Sequence, residues 1–284
     1  MTRLLDSIGM IADQFDAIVL DQWGVLHDGT TPYHGAIEAL TLLSARGTRL
    51  AVLSNSGKRS DLNARRITAK GFPSDLFGCV MTSGEALWQD AAAGKLQGNR
   101  AFVVSANPND AAQWATGLDL DFVTDLEEAD FVLIMGLSEG DAAPSAQSLS
   151  DLRDAILARG IPTYCSNPDR ASPRAGGSLV ISPGALAHDI ADAGGSVTFY
   201  GKPHAPVFRA VEVAMNVTPD CCLMVGDSLE HDIAGAANAG WQTLFIRDGI
   251  HASAFETGDI GNALETLAVT KKVCAPNFSL QSLR

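Results

Sequence analysis

FDAIVLDQWGVLHDG, residues 15–29, contains a compact structural statement about this chain. Ala17, Ile18, Val19 and Leu20 make an apolar run too short for a helix, rich in strand formers and bounded by acidic residues, which is the pattern of a buried parallel strand. Asp21 closes it. A carboxylate at the carboxyl end of a central strand stands where open α/β sheets bind ligands, and Gly24 lets the backbone turn sharply away beneath whatever is held there. Taken alone, the segment favours the plainer reading, in which Asp21 caps the next turn; residues further along reverse that weighting.

Before this strand, residues 2–14 predict an amphipathic helix. After it, residues 35–46 (GAIEALTLLSAR) carry apolar side chains at helical spacing, with Gly47 as the C-terminal cap. Residues 49–53 (RLAVL) are a second strand, running into Ser54, Asn55, Ser56 and Gly57. Small hydroxyl and amide side chains beside a glycine can turn several N–H donors toward one oxyanion, although an ordinary capped loop has the same composition. Residues 61–70 read as a helix with Arg65 and Arg66 on a solvated face. From Met81 a second α/β unit begins, with strands expected at 101–105, 131–135, 162–165 and 179–181, a helix at 150–159, and an end near Gly194 and Gly195.

Residues 197–200 (VTFY) lead into Gly201, Lys202 and Pro203, a turn that can aim an ammonium at a sheet-edge site or simply place a lysine on the surface. A helix follows at 205–216. Residues 221–225 (CCLMV) are a buried strand ending in Gly226 and Asp227, and Asp232 falls on the first turns of the next helix, so both carboxylates can converge on one cation. Residues 241–246 are the last strong strand, and the tail after Lys271 receives no assignment.

A chain of 284 residues, 46% of them hydrophobic, can bury a sizeable core and is long enough for two domains. Its formal net charge of −13 argues against nucleic acid or an anionic membrane as partner, so an anionic substrate must be held by local groups. The N-terminus has acidic residues through its apolar part and no signal-peptide core, and no apolar run approaches the length of a membrane span, which makes the expected location cytoplasmic. Cys79, Cys165, Cys221, Cys222 and Cys274 form no C-x-x-C pair and no zinc-spaced group with histidine, and read as reduced packing residues. Neither G-x-G-x-x-G nor G-x-x-x-x-G-K-[ST] occurs, which weighs against a nucleotide-binding module.

Asp21, Ser54, Lys202 and the Asp227/Asp232 pair each have a plain explanation, but together they supply what phosphoryl transfer through an aspartyl-phosphate requires: a carboxylate nucleophile, donors for phosphoryl oxygens, a lysine to offset charge, and acids to hold Mg²⁺. With DQWGVLHDG near the start, TSGEA at 82–86, SNPD at 166–169, GGSLVISPGAL at 176–186, GKPHAPVF at 201–208 and VGDSLEHDIAGAANAG at 225–240, the chain resembles the haloacid dehalogenase-like (HAD) hydrolase superfamily. It is most similar to the class IIA branch, whose large α/β cap is inserted between the second and third motifs.

The resemblance implies an α/β protein with a Rossmann-like parallel-sheet core, residues 1–80 and 197–284, and an inserted α/β cap domain, residues 81–196. It further implies Mg²⁺ dependence, small phosphorylated metabolites as substrates, and an oligomeric habit. By position, Asp21 would attack phosphorus, Ser54, Asn55 and Ser56 would bind the transferring group, and Lys202 would steady Asp21 and the phosphate. Asp227 would bind the metal with Asp21 and the Trp23 carbonyl, Asp232 would support or ligate it, and Asn167 and Asp169 of the cap would face the substrate.

One position departs. Such phosphatases usually carry a second aspartate two residues after the nucleophile to protonate the leaving oxygen, and here Trp23 stands there. An indole cannot do acid–base work, and losing such a group typically costs roughly 10²- to 10⁴-fold. Either His27, Asp28 or a cap residue compensates, or the substrate has a good leaving group, or the site binds phosphate ligands with impaired catalysis; retention of the other four site residues favours an active enzyme. A rival is a GDSL-type serine esterase, since Gly226-Asp227-Ser228-Leu229 spells its signature and Asp248 and His251 supply Asp-x-x-His. The short interval between those two motifs leaves no room for that family's intervening blocks.

Overall fold

The computed structural model describes residues 2–173, 179–256 and 258–283. It divides into two compact units, one made of Met1–Ser54, Asp61–Met81 and Lys202–Arg284 and the other of Asn55–Ser60 and Thr82–Gly201. The first is built on a seven-stranded sheet in the order Arg3–Leu4, Phe278–Leu280, Gln242–Ile246, Cys222–Gly226, Ala17–Asp21, Arg49–Ser54 and Cys79–Thr82. Ala17–Asp21 pairs in parallel with Cys222–Gly226 on one side and Arg49–Ser54 on the other. Ala17, Ile18, Val19 and Leu20 are fully buried, as the unbroken apolar run demands of a strand covered on both faces. The register sets Leu20 opposite Val225 and Asp21 opposite Leu53, so the strand ends carrying Asp21, Ser54 and Gly226-Asp227 lie at one edge of the sheet.

Helices Ala36–Ala45, Ser60–Ala69, Ala205–Met215, Ala234–Asn238 and Ile260–Lys271 follow the core strands. Leu40, Leu43 and Ile67 pack with Ile18, Leu20, Val52 and Val225 into one hydrophobic cluster, while Leu264 joins Leu229, Ile233 and Phe245 in another. The N-terminal expectation is corrected. Residues 2–14 are not a helix but a strand, Arg3–Leu4, parallel to Phe278–Leu280, followed by 3₁₀ turns at Ile8–Met10 and Ala12–Gln14. Ser7 Oγ accepts the Gly9 N–H at 3.1 Å and stops a continuous helix, while Ile8, Ile11 and Ala12 bury as the apolar spacing requires. The unassigned tail supplies the Phe278–Leu280 strand.

The second unit has a parallel sheet in the order Val197–Phe199, Thr163–Cys165, Phe131–Ile134, Arg100–Val104 and Asp121–Val123. Helices Ser83–Ala92, Pro108–Trp114, Ala146–Arg159 and Pro183–Asp192 accompany it. Two expectations change here. Val197–Phe199 pairs with Thr163–Cys165, so this strand belongs to the inserted unit and the boundary falls between Gly201 and Lys202 rather than at 197. Leu179–Ile181 lies outside the main sheet, in an antiparallel ribbon with Ala171–Pro173. Gly176, Gly177 and Ser178 of the GGSLVISPGAL motif lie outside the described residues. All five cysteines are free, with Cys165 and Cys222 buried. No described helix is long and apolar enough to cross a membrane.

Candidate active site

The sheet edge at Asp21 gathers charge. Lys202, buried to 3% exposure, donates to Asp21 Oδ1 at 2.6 Å and to Asp232 Oδ1 at 2.7 Å. Asp21, Asp227 and Asp232 each bring a carboxylate oxygen within 4.8 Å of the others. Backbone amides fix these acids: Gln22 N–H donates to Asp21 Oδ1 at 2.7 Å, Ile250 N–H to Asp227 Oδ2 at 2.9 Å, and Ser228 N–H to Asp232 Oδ2 at 3.0 Å. Two glycines make room for Asp227. Gly24 holds φ +87°, and a Cβ on it would collide with Asp227 Oδ2; a Cβ on Gly249 would collide with the Asp227 side chain from the other side. The loop at Asp248 to His251 thus holds Asp227, a role the sequence reading did not give it; a glycine after the buried Gln242–Ile246 strand was the available signal.

Electrostatics shows what this cluster needs. Burial, reinforced by Asp232 and opposed by Lys202, pushes the Asp21 carboxyl up to about 7. Burial, followed by the charges of Asp21 and Asp232, pushes Asp227 up to about 8. Burial works against the Lys202 charge, but Asp21 and Asp232 outweigh it and hold the ammonium above the ordinary lysine value. Three acids facing one lysine resist ionising together, and a site of carboxylate oxygens in that state fits a hard divalent cation that would offset their charge. Asp232 already has a protein donor on each oxygen, so it suits a supporting position better than Asp21 and Asp227 do.

A consequence can be measured without substrate. Both raised acids keep protons in the folded, metal-free chain that the unfolded chain releases above its pKa of 3.8. The folded state then binds more protons, and stability falls as pH rises toward about 8. The melting temperature of EDTA-treated protein is expected to drop between about pH 4 and 8, and saturating Mg²⁺ to remove most of that slope. A flat metal-free profile would contradict the raised values.

Trp23 is 42% exposed, two residues beyond Asp21. Its neighbours are committed elsewhere. His27 Nδ1 accepts the Gly29 N–H at 2.9 Å, its Nε2 lies 3.0 Å from Gln22 Nε2, and Gln22 Oε1 accepts from Asn63 Nδ2 at 2.7 Å. Burial lowers its pKa to about 4, so the ring is neutral near pH 7. Asp28 accepts from Thr30 N, Thr30 Oγ1 and Thr31 N at 2.7–2.8 Å and from Thr31 Oγ1 at 3.2 Å, and these bonds hold it well below the usual carboxylate range. His27 is thus neutral near pH 7, and Asp28 is held as a carboxylate by its hydrogen bonds to Thr30 and Thr31.

The remaining candidates divide between the units. Ser54 ends its strand beside Asp21 in the core, whereas Asn55 and Ser56 belong to the inserted unit. Within that unit Asn55 Nδ2 donates to Asp169 Oδ1 at 2.7 Å, Asn167 Oδ1 accepts the Asp169 N–H at 3.0 Å, and Ser56 C=O accepts the Gly84 N–H at 3.0 Å. The serine-esterase constellation does not assemble. Ser228 Oγ lies 3.1 Å from His231 Nδ1, and His251 instead faces Glu230 at 3.7 Å and the Phe245 ring.

The first unit thus carries a buried acid–lysine cluster at the carboxyl ends of its parallel strands, where open α/β sheets bind ligands. The haloacid dehalogenase-like hydrolase model matches residues 18–119, and a HAD-hydrolase-like model matches residues 199–270. Human glycerol-3-phosphate phosphatase is 26% identical, covering 96% of this chain and 90% of that protein. D-glycerol 3-phosphate phosphatase of Mycobacterium tuberculosis is 27% identical, covering 86% of this chain and 66% of that protein. The crystal structure of a haloacid dehalogenase-like hydrolase from Brucella suis is 28% identical with a TM-score of 0.78, covering 99% of this chain and 100% of that one. This chain belongs to the haloacid dehalogenase-like hydrolase superfamily.

Proposed function

We propose that this protein is a Mg²⁺-dependent phosphatase of small phosphorylated metabolites that works through an aspartyl-phosphate on Asp21. The observation that carries the reading is Lys202 bonded to both Asp21 and Asp232, with Asp227 brought into the same cluster. The phosphatase names of the human and mycobacterial relatives point the same way. Asp21 Oδ1 takes the Lys202 and Gln22 bonds, so Oδ2 is the oxygen assigned to attack. Its lone pair forms the new O–P bond as the ester O–P bond breaks, and the leaving group departs with the bonding pair. Water then attacks phosphorus, the bond to Asp21 breaks, and the water proton passes to a phosphoryl oxygen.

Lys202 holds its proton throughout and offsets charge on Asp21 and the transferring group, while Ser54, Asn55 and Ser56 are assigned to the phosphoryl oxygens. Asp21, Asp227 and the Trp23 carbonyl would hold Mg²⁺, with Asp232 in support; when bound, the ion neutralises phosphoryl charge. Asn167 and Asp169 keep their assignment to the substrate side, with Asp169 acting at least through Asn55.

Trp23 cannot deliver a proton, so where no other side chain supplies one the departing oxygen carries its own negative charge. Phosphate release with Mg²⁺ should therefore rise steeply as the leaving-group pKa falls across a series of esters. Trp23→Asp should flatten that dependence by rescuing poor leaving groups, by up to roughly 10²-fold. EDTA should abolish release in both proteins. Equal rates along the series in the wild-type protein would show that another acid is present, and no release on any ester would favour a phosphate-binding role instead.

A further inference from the structure

We infer that Trp23 is a specificity-determining residue whose exposed face stacks on a planar leaving group, so that the preferred substrates are phosphate esters of aromatic or heteroaromatic hydroxyl compounds. This rests on the phosphatase reading and narrows it. Tryptophan is the largest apolar side chain, and 42% exposure two residues from the attacking carboxylate leaves much of it uncovered. The segment carrying it is rigidly fixed. Gln22 and His27 on either side are 9% and 4% exposed and are bonded to each other and to Asn63, while a backbone bridge joins Trp23 to His27.

Gly29 completes the support. It sits at φ +101° with its carbonyl accepting from Lys70 Nζ at 2.6 Å, and a Cβ built on it would come 3.1 Å from Trp23 Nε1. The nitrogen edge of the indole therefore rests against a backbone that only a glycine leaves open. An aromatic ring carried on a segment fixed by buried hydrogen bonds of its neighbours has few torsions left to lose when a second ring settles on it. Phenol-type hydroxyls are both flat and acidic, so they also suit a site where an indole stands in the place of the usual acid.

The test separates flatness from acidity. An aryl phosphate and a fluorinated alkyl phosphate of matched leaving-group pKa are compared with Mg²⁺-loaded protein. The aryl ester should show kcat/KM about two- to tenfold higher, mainly through a lower KM. Trp23→Leu should bring the ratio to about one, and Trp23→Phe should retain part of the preference. Hydrolysis of both esters with equal efficiency by the wild-type protein, or an undiminished preference in Trp23→Leu, would overturn the stacking role while leaving the phosphatase reading intact. Failure to hydrolyse either ester, or any other phosphate ester, would overturn both.

Discussion

Asp21→Asn is expected to lower kcat by about 10⁴-fold or more, because the cluster's other two acids are assigned to the metal and the loss of a group acting as part of a unit is nearly complete. Asparagine has almost the same shape, and its carbonyl oxygen can still accept from Lys202 and from the Gln22 N–H, the two bonds now made by Asp21 Oδ1. The variant should therefore fold. Its metal-free melting temperature should be no lower than that of the wild-type protein, since one of three mutually repelling buried carboxylates is gone. Steady-state turnover within about tenfold of wild type would show that another residue attacks. Ser228 would then have to be examined through Ser228→Ala, although its hydroxyl is bonded to His231 and caps the following turn.

Lys202→Met should damage stability and turnover together. The ammonium bonds two carboxylates at 2.6 and 2.7 Å in a buried position, and removing one partner of such a cluster typically costs about 3–5 kcal/mol. In metal-free protein that corresponds to a fall in melting temperature of roughly 10 °C. The loss should be greater at high pH, where Asp21 is driven to ionise without its counter-charge. Lys202→Met combined with Asp232→Asn should recover much of the melting temperature, because a neutral amide replaces the stranded charge, yet turnover should stay low. An unchanged melting temperature in Lys202→Met would mean that the two ion pairs contribute nothing net to folding.

The core was legible because its signals are local. Continuous apolar runs at 17–20 and 222–225 admit little besides buried strands, and residues that directly end such strands must share one edge of a parallel sheet. The N-terminal segment misled because Leu5, Ile8 and Ile11 have helical spacing, and successive 3₁₀ turns bury the same side chains. Val197–Phe199 was placed in the wrong unit because a three-residue strand carries no mark of its partner, which lies far upstream at Thr163–Cys165. The surroundings of His27 and Asp28 were hidden for a related reason. Their hydrogen bonds to Gly29, Gln22, Thr30 and Thr31 depend on how the loop folds, and residue type alone does not reveal them.

The central claim is covalent transfer of the phosphoryl group to Asp21, and trapping the intermediate addresses it most directly. Wild-type protein mixed with Mg²⁺ and a phosphate ester carrying isotopically labelled phosphorus should be quenched in acid during turnover and digested. The label is expected on the peptide containing Asp21, lost on mild alkaline treatment as an acyl phosphate should be, and absent from Asp21→Asn. Label found on another residue, or sustained turnover with direct transfer to water and no labelled peptide at any quench time, would contradict the account.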